Sequence, residues 1–287
     1  MVLPGVLACG PFALSHVDLS VDKEQSYPPG VGALANVHFS MASKADASLV
    51  DSAVLAITSQ SVAKDAREVR RLRLSTNKSK YRFVEYTHFS DEGKLLPETA
   101  RCSPCGLMLL LESSDGLVAL GRRSAEAKQL PSRWHAWPSG RLQASDLVAE
   151  ARRLLSEQFG PASLRQALVL GLLEAGRKAP LEGRAQELAL LLRLEMTAEE
   201  MLKSFEERRS AALPQAPVNP KDKKAAAVAA AWPSALAFVS PTSEVAACVP
   251  RPGEQLALET LLRGGEGEQQ ATEACRTALA LRRLLPL

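Results

Sequence analysis

Gly106-Leu-Met-Leu-Leu-Leu-Glu112, Ser113-Ser-Asp-Gly116 and Leu117-Val-Ala-Leu-Gly-Arg-Arg123 stand in immediate succession. An apolar run, a Ser-Asp-Gly turn and a second apolar run spell a β-hairpin. A loop over residues 124–139 carries Trp134 and Trp137, and an amphipathic helix then runs from Asp146 to Phe159. Gly160-Pro161 is its stop signal. Further strands are expected at Ala167–Leu173 and Gln186–Leu194. Thr197-Ala-Glu-Glu200 opens another helix, with Thr197 as N-cap and Glu200 as the capping-box acid. Ser234–Val239 reads as a last strand, and the Leu/Ala-rich tail from about Gly253 as helical. This order predicts an α+β fold, a mixed β-sheet sandwiched between helices.

Upstream of the hairpin, residues 1–30 read as irregular and end in the turn signal Tyr27-Pro28-Pro29-Gly30. A short strand is expected at Ala35–Phe39 and a helical stretch through Ser48–Arg73. That stretch carries Lys64, Arg67, Arg70, Arg71 and Arg73 against Asp65 and Glu68; Lys78, Lys80 and Arg82 follow. Such a run is either a solvated helix face or a patch that attracts phosphate-bearing ligands. Tyr81–Phe89, rich in β-formers, reads as a strand. The expected organisation is an extension over 1–104 with a strand and a basic helix, then a core over 105–208. An Ala/Pro/Lys-rich insertion or linker follows over 209–233, and 234–287 returns a strand and helices to the core.

Composition narrows the function classes. The chain has 287 residues, 46% hydrophobic and 23% charged, ordinary for a globular protein with a sizeable core. A net charge of +3 is too small for a dedicated nucleic-acid binder, and 7 Phe, 3 Tyr and 3 Trp are too few for stacking platforms. No apolar run approaches the roughly 20 residues that span a bilayer, so no membrane partner is expected. MVLPGVLACGPFALS has no basic residue ahead of its apolar part and is broken by Pro and Gly, unlike a signal peptide. Five scattered cysteines argue against a disulfide framework and for a reducing, cytoplasmic setting. Cys102-Ser-Pro-Cys105 is a lone C-x-x-C, readable as a redox pair, half a zinc site or two loop thiols.

The candidate chemistry lies on and around the Asp146–Phe159 helix. Asp146, Glu150, Arg153 and Glu157 fall at i, i+4, i+7 and i+11 and line one stripe. Leu147, Ala151, Leu154 and Leu155 line the core side. The plain reading is a salt-bridged wet face; the functional one is a face turned to phosphate. Arg122 and Arg123 end a strand beside it, and guanidinium groups bind phosphate bidentately. Glu187 could project from its strand as a base or metal ligand. Trp134 and Trp137 offer either core packing or a stacking surface, and His135 between them reads as a loop residue.

Gly140, Arg153, Glu157 and Gly160 stand in an order that resembles the box of the Nudix family. That box runs from a glycine through an upstream glutamate to Arg-Glu-apolar-x-Glu-Glu-x-Gly. Three glutamates at i, i+3 and i+4 hold magnesium against a diphosphate, and the metal activates a water. Counting back from Gly160, Arg153 takes the arginine position, Leu154 the first glutamate, Glu157 the second and Gln158 the third. Gly140 lies one residue nearer the helix than the family spacing, and Asp146 stands beside the upstream acid position. The flanks are similar to the UDP-glucose/UDP-galactose diphosphatase branch: Leu109 through Ser124, Leu170-Gly-Leu-Leu173, Gly183-Arg-Ala185 with Glu187, and Met196-Thr-Ala-Glu-Glu200.

The resemblance implies a Nudix-like fold and hydrolysis of a nucleoside diphosphate derivative, a UDP-sugar foremost, with Mg2+ as cofactor. Taken with the reading of the residues themselves, it makes Glu157 and Glu187 the expected catalytic residues, Asp146, Glu150 and Glu157 the expected metal ligands, and places Arg122, Arg123, Trp137 and Gly140 at the substrate. Leu154 cannot ligate a metal, so the alternative expectation is a catalytically impaired Nudix-like protein that binds a nucleotide or a protein partner. Oligomeric state is not legible in the sequence.

Overall fold

In a computed structural model the described residues are 6–45, 49–125, 131–160, 162–174, 186–212, 233–239 and 273–284. Their framework is a mixed sheet built from β1 (Val6–Ala13), β9 (Leu164–Glu174), β10 (Gln186–Leu194), β5 (Cys105–Glu112), β6 (Val118–Arg122) and β11 (Ala235–Val239), in that spatial order. Two short strands complete it: β7 (Trp134–Ala136) on β6 and β8 (Ser139–Arg141) on β5. β10 and β5 run parallel, and the other pairs in this sheet are antiparallel.

The leucine runs of β5 and β10 are continuous because both faces of these strands are covered. Leu107, Leu109 and Leu111, with Leu188, Leu190 and Leu192, enter one apolar cluster. Helices α4 (Leu147–Gln158) and α5 (Ala198–Ala212) close that face with Leu147, Ala151, Leu154, Leu155, Met201 and Phe205. The intervening Met108, Leu110, Ala189 and Leu191 enter a second cluster with Ala278, Leu279 and Leu281 of α6 (Glu273–Leu284). The fold is α+β, a mixed sheet with helices on both faces. The capping box that opens α5 forms as expected: Glu200 accepts from the Thr197 backbone, and Thr197 Oγ1 accepts from Glu200 N. Among the described residues no helix is long and apolar enough to cross a membrane.

The first hundred residues differ from the sequence reading. The expected irregular stretch 1–30 contains β1 and β2 (Val17–Glu24), and β1 is an edge of the main sheet through its pairing with β9. The expected strand Ala35–Phe39 lies inside helix α1 (Val31–Ala45), where Val31 and Ala35, one turn apart, are buried with Tyr86. The expected basic helix through Ser48–Arg73 is two antiparallel strands, β3 (Ala53–Lys64) and β4 (Arg70–Lys80), which join β2 in a three-stranded sheet. Asp65 Oδ1 accepts from Arg67 N and Val69 N and shapes the turn between them. Leu72, Leu74 and Thr76 alternate inward on β4, a period of two, and both leucines join the cluster under α4. Arg71, just ahead of Leu72, pairs with Asp18 and Asp65, so this charge serves the small sheet. The expected strand Tyr81–Phe89 is helix α2; Tyr81, Val84, Glu85 and His88 are buried at helical spacing. A four-residue helix, α3 (Asp91–Lys94), follows it.

Candidate functional site

A cavity of about 290 Å³ opens where β5, β8 and β10 meet helix α2. The register of the strands builds it. Gly106 on β5 is opposite Arg141 on β8 and opposite Glu187 on β10, so the three form one cross-strand row. Gly106 has no side chain to fill the space between its neighbours, and a Cβ there would lie 3.1 Å from Glu187 Cγ. Arg123 follows β6, and His135 comes from β7; both line the same cavity, as do Gly140 and Tyr81.

Electrostatically this is a guarded acid among cations. Part of Glu187 reaches solvent, but its Oε2 is enclosed and accepts no hydrogen bond. Burial pushes its carboxyl up to about 7, and the Arg123 charge only partly offsets that. Arg123 Nε is likewise enclosed without a hydrogen-bond partner. Arg141 is held flat, its guanidinium carbon 3.7 Å from the centroid of the Tyr81 ring. A stacked guanidinium keeps its N–H edge for a ligand while its face is occupied. His135 is buried and its pKa falls to about 3, by desolvation first and by Arg123 second, so it is a neutral imidazole at physiological pH. The arrangement can hold an anion against two guanidinium groups and can move a proton at Glu187 near neutrality.

Of the residues singled out in the sequence, Arg123, Gly140, Glu187 and His135 meet here, and His135, expected in a loop, lies on β7. The others lie elsewhere. Arg122 Nε donates to Ser132 O and holds the adjoining loop. Trp137 is a core residue, with its ring 4.8 Å from Phe159 and 5.0 Å from Phe205 between centroids. Asp146 caps α4 by accepting from Val148 N and Ala149 N. Glu150 is buried, accepts from Gln143 N and pairs with Arg153. Glu157, its side chain 53% exposed, pairs with Arg153 from the next turn. The sequence reading missed Tyr81 and Arg141. Tyr81 opens a run of β-formers that reads as a strand, and Arg141 follows Gly140 with nothing local to mark it.

Magnesium is the cofactor the resemblance implies, and α4 does not fit it as a ligand set. Asp146 spends Oδ1 on two backbone amides, and Glu150 spends both oxygens on the Gln143 amide and Arg153. Leu154, at the position of a family glutamate, is buried against Gly140. Among the described residues no three His, Cys, Asp or Glu side chains gather as a metal site. Cys102 and Cys105 are both buried thiols whose pKa burial raises, Cys105 to about 12, which leaves little thiolate for redox or metal chemistry.

No family model matches the sequence, and no curated protein matches it significantly. Among solved structures the chain is similar to DR0079 from Deinococcus radiodurans, at 18% identity and a TM-score of 0.21. That match covers 44% of this chain and 80% of that one.

Proposed function

We propose that the chain is a Nudix-like protein whose cavity binds the phosphates of a nucleoside diphosphate derivative, a UDP-sugar foremost, and that helix α4 supplies no catalytic centre. The observation that carries this reading is the pairing of Arg123 and Arg141 in one small cavity, while Leu154 fills the space beside Gly140. Two guanidinium groups supply the bidentate hydrogen bonds that phosphate oxygens accept. A leucine offers no ligand to a metal ion. The unassembled acids of α4 support the impaired form of the family over the active one. The sparse cysteines, with no disulfide among Cys9, Cys102, Cys105 and Cys275, support a cytoplasmic setting.

The test is ligand-induced stabilisation of the purified chain by UDP-sugars, ADP-ribose and dinucleoside polyphosphates, with and without magnesium. Binding by one class, lost in both Arg123→Ala and Arg141→Ala, is the expected result. No shift with any ligand, or a shift that both variants keep, overturns the reading.

A second reading, hydrolysis of the diphosphate, is favoured by one observation: Glu187 titrates near neutrality beside the guanidinium groups. A carboxylate of that basicity can take the proton of an attacking water. Release of UMP from UDP-glucose that disappears in Glu187→Gln supports this reading. Release that persists in Glu187→Gln removes Glu187 from it, and no release from a folded protein leaves the binding reading.

A further inference from the structure

The acid in this cavity lacks a partner of its own. Glu187 Oε2 is enclosed by protein, yet no described residue donates a hydrogen bond to it. Arg123 is near enough to influence it electrostatically, but no hydrogen bond joins them, and Arg123 Nε also lacks a partner. A buried carboxylate oxygen without a donor is costly, as is a buried guanidinium N–H without an acceptor. The two deficits are complementary in kind. An anionic ligand group satisfies the guanidinium and worsens the position of the carboxylate. A ligand that also brings a hydrogen-bond donor suits both the guanidinium and the carboxylate.

We infer that Glu187 determines specificity by reading hydroxyl groups: the cavity takes a glycosyl phosphate, its phosphate oxygens on Arg123 and Arg141 and a sugar hydroxyl donating to the solvent-reaching part of the Glu187 carboxylate. The row Arg141–Gly106–Glu187 sets the geometry, because the cation and the acid flank a residue without a side chain. A ligand spanning that row meets an anion-binding end and an acceptor end in turn. Cys105 and Cys275 are the other ionisable groups whose charge couples to Glu187, and both are neutral thiols at physiological pH. The remaining neighbour, His135, is neutral as well. Arg123 and Arg141 are therefore the cations of the cavity and Glu187 its acid. This inference rests on the reading of the cavity as a phosphate site.

Calorimetry of the full chain at pH 8, where the Glu187 carboxyl is ionised, tests it with two ligands that differ only beyond the diphosphate: UDP-glucose and the methyl ester of UDP. The expected result is binding of UDP-glucose at least about tenfold tighter, the scale of one hydrogen bond to a charged group. In Glu187→Ala the ratio falls to about threefold or less. In Glu187→Gln, which keeps the shape and removes the charge beside Arg123, the methyl ester binds tighter than it does to the wild type. Equal binding of the two ligands by the wild type overturns the inference and leaves the phosphate site standing. So does a tenfold preference that survives in both variants. Failure of both ligands to bind a folded chain overturns the phosphate site and this inference together.

Discussion

Arg282, in the last described helix, donates from Nε to Oε2 of Glu112 on β5 at 2.6 Å, a bond that spans 170 residues of sequence. Arg193 donates to the other oxygen of the same carboxylate at 2.8 Å. Glu112 and Arg282 are both buried, so α6 is tied to the sheet by charge as well as by its apolar face. Replacing Glu112 by Ala leaves two guanidinium groups without their shared acceptor. The expected loss is about 3–5 kcal/mol of stability, read by chemical denaturation, with hydrogen exchange in α6 accelerating more than in β9. A loss below 1 kcal/mol contradicts this.

Gly140→Ala tests the contact that replaces the expected metal ligand. The new Cβ would lie 2.7 Å from Leu154 Cδ2, closer than packed carbons approach, and Leu154 is buried. The variant should lose about 1–3 kcal/mol, the usual cost of overpacking. Leu154→Ala alone should lose about 2–5 kcal/mol. The double variant should cost less than the sum, since the second change removes the clash made by the first. Strict additivity in a double-mutant cycle counts against the contact.

Glu187 makes stability depend on pH in an unusual direction for an acid. Its carboxyl is raised from 4.5 to about 7 by burial, so the native state holds this proton more tightly than the unfolded chain does. Its contribution therefore declines as pH rises from about 4.5 to 7, and the deficit is complete above 7. Glu187→Gln should be more stable than the wild type above pH 7, by on the order of 2 kcal/mol. The two curves should converge toward pH 4.5. Parallel curves across that window contradict the burial of the carboxyl.

His135 works on the acid side. Its imidazole falls from 6.5 to about 3, so in that interval the unfolded chain takes up a proton that the native state refuses. Stability is lost as pH falls below 6.5 and regained as it rises. The imidazole resonances of His135 should not move between pH 8 and pH 4 in the folded protein, and a midpoint near 6 would place this ring in solvent.

Thiol labelling separates the cysteines. Cys9 is exposed, whereas Cys102, Cys105 and Cys275 are buried and their thiols are raised by burial. Among these four, Cys9 should react first with a thiol reagent in the native protein, and the other three should follow only with unfolding. Rapid native labelling of Cys102 and Cys105 would restore a redox reading of that pair.

The part of the fold that was legible is the part where local pattern and burial agree. The β5–turn–β6 hairpin, helix α4 and its Gly160 stop, the leucine strand β10 and the capping box of α5 are each signalled within their own residues. The first hundred residues misled because composition and partner choice conflict there. Tyr81–Phe89 is made of β-formers yet coils into a helix, because its turns bury Tyr81, Val84 and His88 together. Ala53–Lys64 precedes the charged run that suggested a helix through Ser48–Arg73, yet it extends, because β4 supplies a strand to pair with.

The candidate site divides the same way. Arg123 and Glu187 were recognisable as charged residues at the ends of strands, and the sequence by itself determined the leucine in place of a glutamate at 154. The sequence also determined the α+β class, through the alternation of hairpin, helix and leucine strands. Only the tertiary structure decided which charges meet. Arg141, Gly106 and Glu187 become neighbours through strand register, and Tyr81 reaches Arg141 because α2 packs over that end of the sheet. Only the tertiary structure spent Asp146 on a helix cap and Glu150 on a backbone amide. The physical reason is that periodicity fixes the face on which a side chain lies, whereas its partner is fixed by the packing of segments far apart in the chain.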